Sequence, residues 1–202
     1  MNKRQLQKQK TRKLILQTAK QYFISKGFLK TTTAEIALEC GIAHGTLFLH
    51  FRNKEMLIIE ILDQQLESIS LGILELIKDS RSLEEMLGNY LQFIEQEEDF
   101  FIVIAKELPF YSEELRRKII FRESYIRSKF SKAIARGIEE GIFIECDPVT
   151  ANTYLFSIIN YYLSLKEIFV TEGSVIGKFR EKITGLVDRM LSKTESKLLE
   201  DK

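Results

Sequence analysis

A chain of 202 residues with 45 % hydrophobic residues can bury a sizeable core, and only two prolines and ten glycines leave too little turn chemistry for many short strands. No apolar run approaches the ~18 residues of a membrane span, and the polar start MNKRQLQKQKTRK has no apolar signal core, so a cytoplasmic protein with no membrane partner is expected. The net charge of +1 hides an asymmetry: residues 1–54 carry eleven Lys/Arg against Glu35 and Glu39, and residues 55–202 carry nineteen against twenty-seven Asp/Glu, so one end attracts a polyanion that the other repels.

From Thr11, the spacing of Ile15, Ala19, Tyr22 and Phe23 predicts an amphipathic helix, with Gly27 as its left-handed C-terminal cap. Thr32 and Glu35 form the pattern of a capping box, opening a short second helix that Gly41 ends. A third short helix, about residues 45–51, puts Leu47 and Phe51 on one face, and Asn53 caps a fourth beginning at Lys54. Three compact helices, the last two joined by a tight glycine turn, make a helix-turn-helix.

Helical rhythm continues beyond. Ser82 to Glu85 signals a helix through about Glu98, and DFFIVIAKEL a shorter one stopping before Pro109. Ser112 opens a long helix ending near Gly137 or Gly141. Asp147 with Pro148 starts another, running to about Val170, and Ile176, Phe179, Ile183, Leu186, Val187 and Met190 mark the last. Residues 193–202 read as frayed. The fold class is all-α: an N-terminal three-helix domain, 1–53, fused to a larger helical domain, 54–202.

The only two histidines, His44 and His50, stand six residues apart in ECGIAHGTLFLHFRNK. Six helical positions rotate by about 240°, so they do not share a face, and neither cysteine lies at a metal-ligand offset: no metal site is expected. No nucleophile–base pattern lies nearby, and a solvated charged face accounts for the acidic EQEEDF, so the chain reads as a non-enzyme without cofactor. DNA explains more. The second helix of a helix-turn-helix presents its N-terminal residues to base edges in the major groove. Here these are Ala43, His44, Gly45, Thr46, Phe48 and Leu49, facing away from Leu47 and Phe51. Gly45 permits close backbone approach, Thr46 suits a phosphate or base, His44 a base edge, and Ala43, Phe48 and Leu49 thymine methyls. Lys54 adds a cation at a helix N-terminus. Thr32, Thr33 and His50 complete the expected DNA-binding set.

The run TTTAEIALECGIAHGTLFLHFRNKEMLI, preceded by AKQYFISKGF, resembles the DNA-binding domain of the TetR family of bacterial transcriptional regulators across about residues 11–57. Spacing and residue type agree at Ala19, Phe23, Gly27, Thr32, Ile36, Gly41, Gly45, Leu47, Phe51 and Lys54. Three positions depart. The family usually has Ser or Thr at Ala43 and commonly Tyr at Phe48, and a polar or aromatic residue is frequent at Leu49, so this surface is more apolar and lacks two phosphate-bonding groups.

The resemblance implies a ligand-binding and dimerisation domain in the remainder, and hence a repressor released from a near-palindromic double-stranded DNA operator by a small-molecule effector. Phe93, Phe101, Phe110, Tyr125, Tyr154 and Tyr161 are the expected ligand-lining residues. The segment TYLFSIINYYLSLKEIF is apolar on nearly all sides, more than one chain needs to pack. A homodimer through the final two helices follows, using Leu155, Ile158, Ile159, Tyr162, Phe179, Ile183, Leu186 and Met190. The alternative is a ligand-independent nucleoid-associated or membrane-surface protein using the same basic front.

Overall fold

The computed structural model describes residues 2–193. Their regular structure is helical apart from a single antiparallel bridge between Phe143 and Ser192. Helix α1 spans Lys3–Lys26, eight residues earlier than the apolar stripe signalled. The Asn2 side chain accepts from the Arg4 N–H while Gln5 Oε1 accepts from the Asn2 N–H, a capping box that the stripe could not reveal. Lys, Arg, Gln and Leu then continue the helix on propensity alone. Gly27 has φ 86° and ψ 160°, positive in φ but extended in ψ, so it ends α1 without the left-handed helical cap expected.

The capping box at Thr32 and Glu35 opens α2, Thr33–Glu39, and Gly41, with φ 64°, turns the chain into α3, His44–His50. Asn53 Oδ1 accepts from the Met56 N–H at the start of α4, Lys54–Ile77. Helices α5, Leu83–Gln96, and α6, Glu98–Glu107, follow, then a single 3-10 turn at Leu108–Phe110. Helix α7 runs Glu113–Glu139 and passes Gly137, where a Cβ would overlap the Phe143 ring; Gly141, φ 74°, follows its end.

Asp147 caps α8, Pro148–Ser164, as expected, but the helix does not reach Val170. Leu165 leaves helical geometry at φ −114°, ψ 25°, and a separate turn, α9, covers Lys166–Phe169. Ser174 caps α10, Val175–Leu191. Of the stretch expected to fray, all beyond Lys193 lies outside the described residues.

Two compact units emerge: Met1–Ile69 with Asp99–Ile120, and Ser70–Glu98 with Phe121–Lys202. Their divisions fall within α4, after the first residue of α6 and within α7. The first unit buries Ile15, Ala19, Phe23, Phe28, Ile36, Leu47, Phe51 and Leu57, with Phe28 edge-on to Tyr111 at 5.7 Å. In the second, α10 packs on α5 and α8. Tyr90, Phe130 and Phe156 form an interlocked aromatic cluster with centroids 5.2–5.4 Å apart. Glu98, 6 % exposed, accepts from Ser174 Oγ (2.7 Å) and the Ile176 N–H (2.8 Å) and pairs with Lys166, so a buried carboxylate holds the start of α10 with its charge compensated.

Candidate nucleic-acid interface

Helix α3 is held from behind. Leu47 is fully buried and Phe51 nearly so. The Arg12 guanidinium lies 4.1 Å over the Phe51 ring, donates to the His50 carbonyl at 2.6 Å and pairs with Glu60. One arginine of α1 thus ties the end of α3 to α4. The opposite side is open: Ala43, His44 and Gly45 are exposed, as are Phe48 (43 %) and Leu49 (79 %), while Thr46 is half-buried.

His44 begins α3 rather than lying in the turn before it. Its Nε2 shares a 2.9 Å hydrogen bond with Thr33 Oγ1, and its ring lies 4.9 Å from that of Phe48. Two residues selected separately are therefore one bonded pair spanning α2 and α3. Thr32 is exposed but engaged: its Oγ1 accepts from the Glu35 N–H and donates to Glu35 Oε2. The Lys26 ammonium at 2.9 Å and the Thr32 bonds draw the Glu35 carboxyl down to about 2. His50 is half-buried, its Nδ1 enclosed without a partner; burial first, then the charges of Arg12 and Lys8, lowers its pKa. Lys54 Nζ donates to the Leu29 carbonyl at 3.2 Å, and burial lowers its pKa.

Glu107, far along the chain, escaped sequence reasoning. Its Oε2 accepts from the Phe28 N–H at 2.9 Å and the Tyr111 hydroxyl at 3.2 Å, and both its oxygens face the Leu29 N–H. It occupies the space where a Cβ on residue 27 would stand, a second reason for Gly27. The carboxylate holds the turn whose Leu29 carbonyl receives Lys54. No local signal marks it, because its amide partners Phe28 and Leu29 lie 79 and 78 residues away.

The expected ligand-lining aromatics fall in both compact units. Phe101 and Phe110 belong to the first compact unit and the other four to the second. Phe110, Tyr125, Tyr154 and Tyr161 are more than half exposed. Phe93 packs against the backbone of Gly72. The second unit instead has a cleft of about 210 Å³ lined by Leu83, Leu87, Arg136, Phe143 and Asp188 among others, and a wider one of about 530 Å³ between α4, α5 and α7. The expected dimer residues also divide. Leu155, Ile159 and Ile183 are core, at most 3 % exposed, so they cannot meet a partner. Leu186 and Met190 are exposed, and Ile158, Tyr162 and Phe179 half-buried. The outer apolar surface adds Tyr154, Tyr161 and Ile168.

With this geometry in view, the sequence matches the model of the bacterial regulatory proteins of the tetR family at residues 15–61 and that of a tetracyclin repressor-like C-terminal domain at residues 80–164, together more than half the chain. The chain belongs to the TetR family of bacterial regulatory proteins. It is 29 % identical over 100 residues to the HTH-type transcriptional regulator YerO of Bacillus subtilis, covering 46 % of this chain but only 34 % of that relative. Similarity to YfiR, also an HTH-type regulator of Bacillus subtilis, is 24 % over 188 residues, 90 % of this chain and 88 % of the other. Among solved structures, AibR in complex with isovaleryl coenzyme A and operator DNA shares the fold at TM-score 0.69 and 20 % identity, covering 89 % and 97 % of the two chains.

Proposed function

We propose that this TetR-family regulator is a repressor that grips a near-palindromic operator as a homodimer and releases it when a small molecule binds. The observation that carries the reading is α3: Leu47 and Phe51 anchor one side, while Ala43, His44, Gly45, Phe48 and Leu49 stand exposed on a front carrying eleven Lys/Arg within 54 residues. Functionally, residues 1–53 read DNA and 54–202 supply ligand binding and dimerisation. His44, oriented by Thr33, reads a base edge, and Thr46 and Lys54 set position on the phosphates. Thr32 bonds back into its own capping box, so it supports α2. His50 supports α3 from behind. Phe48 and Leu49 favour a thymine-bearing site through methyl contacts.

The outer stripe of Tyr154, Tyr161, Ile168, Leu186 and Met190, bordered by Ile158, Tyr162 and Phe179, supports a twofold pairing. The structure of AibR in complex with isovaleryl coenzyme A and operator DNA supports a ligand-responsive mode by analogy. An effector shifts the equilibrium only if it binds the DNA-competent and incompetent states unequally. Helix α4, which runs unbroken from Lys54 to Ile77, is proposed to carry that difference. The test is a titration of a selected operator and a scrambled duplex at matched salt. Strong preference for the operator is expected; equal affinity for both duplexes would favour the nucleoid-associated alternative.

A further inference from the structure

The cleft of about 530 Å³ in the second unit has an unusual lining. Four cations surround it, Lys78, Lys129, Lys132 and Arg136, and no carboxylate does. In a stretch whose overall balance is acidic, that is a local reversal of sign. Lys78 pairs with Glu75, and Arg136 approaches Glu140 at 4.0 Å. Such exposed pairs exchange readily, being worth about 0–1 kcal/mol. Lys129 and Lys132 have no carboxylate partner among the described residues; Lys129 Nζ rests 5.4 Å from the centre of the Tyr125 ring. Between the cations the cleft is apolar, with Leu74, Ile77 and Met86 in its wall, Ile77 and Met86 themselves nearly buried. Its volume lies within the range of about 300–1,000 Å³ typical of small-molecule sites.

We propose that this cleft binds an amphipathic organic anion, its hydrocarbon body on Leu74, Ile77 and Met86 and its carboxylate or phosphate head between Lys129 and Lys132. A purely apolar ligand would leave two ammonium groups uncompensated, and a small inorganic anion would leave the apolar wall wet. Every lining residue lies between Leu74 and Arg136, so none belongs to α8, α9 or α10, where the proposed dimer surface lies. The proposal rests on reading the second unit as the effector-receiving part of the regulator.

Isothermal titration of the full chain with decanoate, decyl phosphate, 1-decanol and inorganic phosphate, each below its aggregation limit, tests it. One equivalent of decanoate or decyl phosphate is expected to bind, and whichever is tighter identifies the preferred head. Decanol and inorganic phosphate should each bind at least about tenfold more weakly, the factor expected for losing one charge-assisted contact or the apolar contacts. The K129Q/K132Q double variant and Leu74→Gln should each weaken the preferred anion by a similar factor with unchanged circular dichroism, whereas Lys182→Gln on α10 should not. Equal binding of decanol, or undiminished binding by K129Q/K132Q, overturns the site. Operator titrations in parallel separate the two readings. Operator preference without anion binding overturns the cleft alone, whereas lysine-dependent anion binding without operator preference upholds the cleft and overturns the repressor.

Discussion

His44 and Lys54 occupy opposite ends of the division between reading and positioning. His44 is aimed by a bond to Thr33, and Lys54 is a cation parked on the Leu29 carbonyl. Substituting Lys54→Ala should weaken operator and scrambled duplex alike and reduce the salt slope by about one counterion. His44→Ala should instead change the preferred base in a binding-site selection, and Thr33→Val should do the same in part, because the imidazole loses its orienting partner. Proportional loss on both duplexes by all three variants would contradict the division. His50 tests the support behind α3. Its folded-state pKa lies below the ordinary value near 6.5, so the neutral ring favours the fold. That contribution is fully present above the unfolded value and is lost as pH falls through the folded one. The melting temperature of wild type should therefore fall more steeply below pH ~6.5 than that of His50→Asn.

At the scale of elements, Glu107 binds the start of the 3-10 segment to the turn after α1 through the Phe28 and Leu29 N–H groups and the Tyr111 hydroxyl. Glu107→Ala leaves those donors without their acceptor, at a cost of about 1–3 kcal/mol for the principal bond. Amide exchange at Phe28 and Leu29 should accelerate by about tenfold or more, whereas Tyr111→Phe should change it little, since the carboxylate stays. Unchanged exchange in Glu107→Ala would show that packing of Phe28 against Phe23 and Tyr111 holds the turn by itself. Much of this region was legible in advance. The Thr32–Glu35 box, the Gly41 turn and the Leu47/Phe51 anchor are local patterns of three to five residues, and the structure has each of them. Glu107 was not legible, because nothing in EL before a proline says that a carboxylate will meet two amides nearly eighty positions upstream.

For the whole molecule, the proposed dimer is where the structure sharpens the expectation. A charge at Ile183 would be forced into a core position 1 % exposed, and is expected to unfold the second unit rather than dissociate a dimer. A charge at Tyr161 or Leu186, which are 54 % and 39 % exposed, should yield folded monomers. Sedimentation with circular dichroism distinguishes the outcomes. Two recognition helices of a twofold dimer stand about 34 Å apart on successive major grooves, so those monomers should also lose most operator affinity. A wild-type chain that sediments as a monomer at micromolar concentration yet holds a palindrome tightly would overturn the pairing.

Helix content, the helix-turn-helix and the charge asymmetry followed from the sequence alone, because each rests on interactions within a few positions or on sums over residues. Which aromatic residues share a wall did not. Phe93, Phe101, Phe110, Tyr125, Tyr154 and Tyr161 are all large aromatic residues suited to a pocket wall, yet Phe110, Tyr125, Tyr154 and Tyr161 are more than half exposed. The same limit separated Ile158 from Ile159 and Leu186 from Val187, neighbours of almost identical hydrophobicity that face different ways. Periodicity names the faces of a helix; only tertiary packing decides which face meets the core, which meets water, and which cations come together around a cleft.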